Sequence, residues 1–278
     1  MTPDALTGWN EDANAQAYAA FARAFPMYST TSSDLARRAR LADSSLIVDL
    51  CGGTGVTAQE ILALAPPDAD VVSLDNAAAM QRIGRHTLTD TRLSWVTAAA
   101  EDLAEHIPSG QADAVVCNAA LWKTDVPAVI DAVHRVLRRD GRFAFNIGGS
   151  FAGLARPEDT GPSLDRLIHQ IAARKHGYTP QRANRLGPKL SLTTVTRRLA
   201  DAGLTVVDID ITTVHTTMAE RKAWLSIPHF ARPEGDVTYE QKMDILEKAY
   251  AQVKPNATTA TKWLVVVARS NEEGTPAL

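Results

Sequence analysis

Long apolar runs are missing from this 278-residue chain. No stretch approaches the roughly 20 residues that span a bilayer, and the first residues carry no signal-peptide core. The expectation is a cytoplasmic protein with no membrane partner. Cysteine is scarce as well. Cys51 and Cys117 are the only two, as suits a reduced compartment. They close the first and fourth predicted strands and read as small buried residues flanking a ligand, not as a metal or redox pair. No metal site is expected. Nor is there an excess of one charge. A formal net charge of −3 argues against a general nucleic-acid binder. Internal repeats and low-complexity tracts are absent. What the chain does have is apolar residues, 45% of the total, enough for one full core with insertions.

The chain is organised around Leu46 to Ala58. Leu46 to Leu50 is a short apolar run that reads as a buried strand. A turn follows at Gly52, Gly53 and Gly55, then a helical pattern from Val56 to Ala65, stopped by Pro66 and Pro67. A strand turning sharply into a helix presents backbone N–H groups at the helix start, where glycine lets a ligand approach. This is how an α/β protein builds a nucleotide site beyond its first strand.

Two cofactor classes fit such a turn. Gly53 to Ala58 matches the G-x-G-x-x-A dinucleotide fingerprint. Asp49, an acid at the end of the strand, speaks against a pyrophosphate and for a cationic nucleoside carrying an ammonium or sulfonium. Asp75 ends the next strand, Asp70 to Leu74, at a distance that suits a ribose diol.

Val48-Asp49-Leu50-Cys51-Gly52-Gly53-Thr54-Gly55 resembles the first motif of class I S-adenosylmethionine-dependent methyltransferases of the small-molecule type. The resemblance continues through Val71 to Asp75, Ala100 to Leu103, Ala112 to Asn118 and Arg135 to Phe143. It covers about Leu46 to Ser150, with a weaker match to Arg269. It implies an α/β Rossmann-like sheet of seven strands in the order 3-2-1-4-5-7-6, helices on both faces, an N-terminal helical lid and cap insertions. The boundaries expected are 1–45 for the lid, 46–150 for the S-adenosylmethionine-binding core and 151–190 for a first cap. Core resumes over 191–211, a second cap covers 212–259, and 260–278 holds the last strand and tail.

The resemblance implies S-adenosyl-L-methionine as cofactor. Its binding residues would be Asp49, Cys51, Gly52, Gly53, Gly55, Asp75, Asn76, Met80, Ala100, Glu101, Asp102 and Asn118, with Tyr18 and Tyr28 over the methionine end. The family often has an aspartate at the position of Ala99, so Glu101 and amides near Ala100 are left to read adenine. Trp122 and Asn146, at the carboxyl edge of the sheet, are candidate substrate contacts. The Asn-Pro-Pro-Tyr clamp of nucleobase methylators is replaced by Asn118-Ala119-Ala120-Leu121, which argues against a nucleic-acid substrate.

Around the core, Asn10 to Phe25 reads as a helix with Ala13, Ala17, Phe21 and Ala24 on its buried stripe. Ser33 is read as the cap of a second helix to Leu41, and Asn76 as the cap of one to His86. Arg92 to Thr97, Ala112 to Cys117 and Arg142 to Ile147 read as strands. Asp125 and Pro127 open a helix, Ser163 to His176 is another, and Ser191 starts a third. Leu204 to Ile211 and Trp263 to Ala268 read as strands, and Thr238 to Gln241 as a capping box. Met1 to Gly8 and Asn271 to Leu278 read as frayed ends. The first cap carries Arg156, Arg166, Arg174, Lys175, Arg182, Arg185 and Lys189 against Glu158, Asp159 and Asp165.

A sulfonium methyl is already activated, so positioning of the acceptor can supply much of the rate, with a histidine or carboxylate removing a proton where needed. His169, His176, His215 and His229 lie in the caps. His229 is the catalytic candidate, because Trp224, Ile227, Pro228 and Phe230 make an apolar lining around it. The expected function is O-, N- or C-methylation of a small metabolite, in a biosynthetic role and with a homodimer as one possible assembly. The alternative is a non-methylating use of the cofactor, such as cyclisation releasing methylthioadenosine. A nicotinamide oxidoreductase and a non-enzymatic cofactor-binding subunit are the further alternatives.

Overall fold

The computed structural model describes residues 8–155, 163–179 and 190–271. Its centre is a seven-stranded sheet in the order β3-β2-β1-β4-β5-β7-β6, as the resemblance implies. The strands are β1 (Leu46–Leu50), β2 (Asp70–Asp75), β3 (Leu93–Thr97), β4 (Ala112–Cys117), β5 (Leu137–Gly148), β6 (Leu204–Thr217) and β7 (Thr258–Ser270). The first five run parallel, and β7 is antiparallel to both β5 and β6.

Both faces of the parallel strands are covered, so the strands carry unbroken apolar runs. Alternation sends Val48, Leu50, Val115 and Phe143 to one face. There they meet Val129, Ile130, Val133 and Val136 of α5 (Val126–Val136) and Val195 and Leu199 of α7 (Leu192–Asp201). Ile47, Val71, Val116 and Ala144 face the other way. They pack on Leu35, Ala36 and Ala39 of α2 (Met27–Ala39) and Ala58, Ile61 and Leu62 of α3 (Val56–Leu64). The caps expected at Asp125 and Ser191 form, accepting from Ala128 N–H and Thr194 N–H. Thr238 and Gln241 close the full capping box of α9 (Tyr239–Tyr250).

Several elements differ from the sequence reading. Helix α1 (Asp12–Ala24) buries Asn14, Ala15, Ala19 and Phe21, while Ala13 and Ala24 are exposed. Burying Asn14 rotates the stripe. Its amide donates to Gly8 C=O, and its Oδ1 accepts from His229 N–H. Helix α2 begins at Met27, with Pro26 at the cap position instead of Ser33. Proline's fixed φ suits a helix start as well as a stop. Helix α4 (Ala78–Thr87) has no side-chain cap from Asn76, because Asp75 takes Ala77 N–H instead, at 2.7 Å.

Strands β6 and β7 run well past their expected ends. Thr213 to Thr217 pair in register with Lys262 to Thr258, and this threonine-rich stretch contains no breaker. The segment between these strands is therefore carried on a two-stranded arm. Its helices α8 (Met218–Leu225) and α9 share a small separate core with α6 (Leu164–His176). Ile168, Leu225 and Ile245 sit at its centre. Of the cations and acids named in the first cap, Arg156, Glu158, Asp159, Arg182, Arg185 and Lys189 lie outside the described residues, as does the tail after Asn271.

Candidate active site

The turn after β1 places the chain in the left-handed region at Cys51 (φ 58°), Gly53 (φ 56°) and Gly55 (φ 85°). Gly52 is held by its N–H to Leu74 C=O at 3.1 Å. A Cβ on Gly52 would sit 2.1 Å from Ser73 Oγ and 2.2 Å from Asp49 Oδ2. A Cβ on Gly53 would sit 3.3 Å from Met80 Cε and narrow the slot between them. Gly55 serves packing: its missing Cβ admits the Trp95 ring at 2.7 Å.

The two acids take different roles. Asp75 lines the cavity beyond the turn. Its Oδ2 accepts Gly53 N–H at 2.9 Å, and its Oδ1 accepts Ala77 N–H. Burial pushes this carboxyl up, while the two N–H groups and the Lys123 ammonium pull it back. Asp49 does not line the cavity. It is fully buried beneath Gly52, because its register partner on β2 is Ser73, whose hydroxyl donates to Oδ2 at 3.0 Å. Its Oδ1 lacks a full hydrogen bond and has only the Ala58 N–H for support. Burial pushes the Asp49 carboxyl up to about 7, against the pull of Ser73, and the Asp75 charge adds to the rise. Asp75 is therefore the acid that faces the cavity, and Asp49 lies sealed beneath the turn.

The cavity holds about 950 Å3 of empty space, counted to its open mouth. Its floor is Cys51, Gly52, Gly53 and Asp75, with Met80 and Ala100 on one side and Asn118 to Ala120 on the other. The neighbouring Cys117 thiol and burial push the Cys51 thiol well up. Glu101 Oε1 accepts Asp125 N–H at 2.7 Å, fastening the turn after β3 to the start of α5. Asn146, 1% exposed, donates to Asn118 Oδ1 and accepts Ala119 N–H, both at 2.7 Å. Those bonds hold Ala119 at a φ of 57°. The Asn118 amide donates onward to Ser32 Oγ at 2.8 Å, and Ser32 shares a hydrogen bond with Thr57 Oγ1 at 2.9 Å. One polar chain thus ties β4, β5, α2 and α3 at the cavity floor.

The roof is aromatic. Tyr18 and Tyr28 lie 5.1 Å apart between ring centres, and Trp9 meets Tyr18 edge-on at 5.7 Å and Phe230 at 5.3 Å. Trp224 stacks on Phe230 at 4.0 Å and donates its indole N–H to Tyr28 Oη. Burial raises both tyrosine hydroxyls, that of Tyr28 to about 12, so both stay protonated at neutral pH.

Of the expected cofactor residues, the cavity brings together Tyr18, Tyr28, Cys51, Gly52, Gly53, Asp75, Asn76, Met80, Ala100, Glu101 and Asn118. Asp49, Gly55 and Asp102 lie outside its lining. Of the substrate candidates, Trp122 stacks on Phe151 at 4.9 Å and Asn146 supports the floor, and neither reaches the cavity wall. His229 does not line the cavity either. Its ring packs on Trp9 at 4.4 Å, and burial lowers its pKa. Phe230 beside it does line the wall. The sequence reading missed Trp9, Thr57 and Lys123. Trp9 and Phe230 come from opposite ends of the chain and share no local pattern. Lys123 lies in the turn after Asn118, where its charge was the one available sign.

These features fit an adenosyl nucleoside. There is a carboxylate for a ribose and a slot beside Met80 that a Cβ would fill. Fold and cavity together define a Rossmann-like methyltransferase core. Residues 47–141 match the family model of the methyltransferase domain. The chain is 34% identical over 107 residues to the ubiquinone/menaquinone biosynthesis C-methyltransferase UbiE of Coxiella burnetii, covering 37% of this chain and 42% of that protein. The match thus spans less than half the length of these curated relatives. Among solved structures, YcgJ of Bacillus subtilis superposes with a TM-score of 0.55 at 16% identity, over 87% of this chain and 99% of that one. The [4+2]-cyclase SpnF superposes with a TM-score of 0.54 at 12% identity, over 88% and 81%. Both share the fold. Among the described residues, no helix is long and apolar enough to cross a membrane.

Proposed function

We propose that this chain is a methyltransferase that moves the methyl group of S-adenosylmethionine to a small-molecule acceptor, with carbon as the favoured acceptor atom. The observation that carries the reading is the roofed cavity, with the glycine turn and Asp75 as its floor and the aromatic lid above. A lid of Trp9, Tyr18, Tyr28 and Phe230 leaves room for a metabolite and no open groove for a polymer. Carbon is favoured because the matched relatives are named C-methyltransferases. The cofactor, when bound, supplies a methyl group already activated by the sulfonium.

The residues do the rest by holding and screening. Asp75, fixed by Gly53 N–H and Ala77 N–H, accepts from the ribose hydroxyls. Met80 and Ala100 border the adenine. Asn118, locked by Asn146 and Ser32, sets the edge of the sheet where an acceptor approaches. The aromatic roof excludes water and holds the acceptor in line, an alignment worth up to roughly 7–11 kcal/mol of the barrier. The test is product analysis with methyl-labelled cofactor and a panel of small aromatic and polyketide-like acceptors. S-adenosylhomocysteine that forms only with an acceptor supports methyl transfer. Methylthioadenosine released without one would replace it with a cyclising reaction.

A further inference from the structure

Lys123 is the one cationic side chain lining the cavity among the described residues. Its ammonium makes no hydrogen bond or salt bridge to any of them. It stands over the Trp9 ring at 5.0 Å and the Trp122 ring at 5.8 Å. Burial lowers its pKa, and the Asp75 charge only partly offsets this. Asp75 is near enough to be felt, but it makes no salt bridge to Lys123, and its oxygens accept Gly53 N–H and Ala77 N–H. A partly buried ammonium held on aromatic faces, with no anion in contact, gains from a ligand that completes it. None of the other ionisable groups of the lining pairs with Lys123: Glu101 accepts Asp125 N–H through Oε1, and both tyrosines stay protonated.

We propose that Lys123 anchors a carboxylate carried by a small molecule in this cavity. Two molecules can bring one: the cofactor, through its aminobutyrate arm, and an acidic acceptor. The proposal rests on the reading of the cavity as an adenosyl site and adds the group that Lys123 takes.

Calorimetric titrations of the full chain separate the cases, using wild type, Lys123→Met and Lys123→Arg. The probes are S-adenosylhomocysteine, methylthioadenosine, which keeps the adenosine and lacks the carboxylate, and 4-hydroxybenzoate added to protein saturated with S-adenosylhomocysteine. If the cofactor supplies the anion, Lys123→Met weakens S-adenosylhomocysteine tenfold or more, leaves methylthioadenosine unchanged, and Lys123→Arg restores most of the loss. If the acceptor supplies it, S-adenosylhomocysteine binds unchanged and 4-hydroxybenzoate loses its binding in Lys123→Met alone. Equal weakening of methylthioadenosine and S-adenosylhomocysteine overturns the proposal, as does no change with any probe. A wild type that binds neither nucleoside refutes the cofactor reading itself.

Discussion

Replacing Asp49 by Asn should change how stability responds to pH, and in a direction opposite to that of most folded carboxylates. Burial raises the Asp49 carboxyl from 3.8 to about 7. Below pH 3.8 it is protonated in both the folded and the unfolded chain and costs nothing. As pH rises towards 7 the unfolded chain ionises first, so folding must take up a proton and stability falls. Above 7 both states are ionised, and the cost levels off at about 4 kcal/mol, from about three pKa units at about 1.4 kcal/mol each. Asparagine keeps the shape and can donate to Ser73 Oγ while accepting from Ala58 N–H, but it does not titrate. The gap between Asp49→Asn and wild type should therefore shift in favour of the variant by about 2–3 kcal/mol between pH 5 and pH 8. Urea unfolding of both proteins across that range measures it, and titrating groups not coupled to Asp49 cancel in the difference. Parallel stability profiles would refute the reasoning, and with it the picture of Asp49 as a sealed acid beneath the turn.

Gly52→Ala should cost about 2–4 kcal/mol, because the new Cβ meets Ser73 Oγ and Asp49 Oδ2, which have nowhere to go. A urea midpoint within 0.3 M or so of wild type would contradict this. Asn146→Ala strands Ala119 N–H and Asn118 Oδ1. It should lower stability by about 1–3 kcal/mol and weaken S-adenosylhomocysteine binding, read by thermal unfolding with and without that nucleoside. Trp224→Phe keeps the ring on Phe230 but removes the donor to Tyr28 Oη. The expected loss is about 0.5–1.5 kcal/mol, and a much larger one in chemical denaturation would mean that the stack, not the hydrogen bond, holds the roof.

Much of the core was legible because its elements are defined locally. β1 and β4 are short β-branched and apolar runs bounded by turn residues, and their limits agree with the structure residue for residue. Asp75 was readable as a cavity acid because it ends its strand at the turn. Asp49 was misjudged because its direction depends on a neighbour: the register opposite Ser73 turns it inwards, and spacing along one strand does not show that. The roof was harder still. Trp9, Tyr28 and Phe230 meet only after the chain has folded, and the two-stranded arm that carries Phe230 overruns both of its expected ends. His229 shows the same limit. Its apolar neighbourhood was real, but Phe230 is the residue that faces the cavity.

The most direct test is equilibrium dialysis with labelled S-adenosylmethionine, in the presence and absence of excess NAD. One labelled nucleoside should be retained per chain, displaced by S-adenosylhomocysteine and untouched by NAD, with retention lost in Asp75→Ala. Retention of NAD in place of S-adenosylmethionine would contradict the assignment of this cavity.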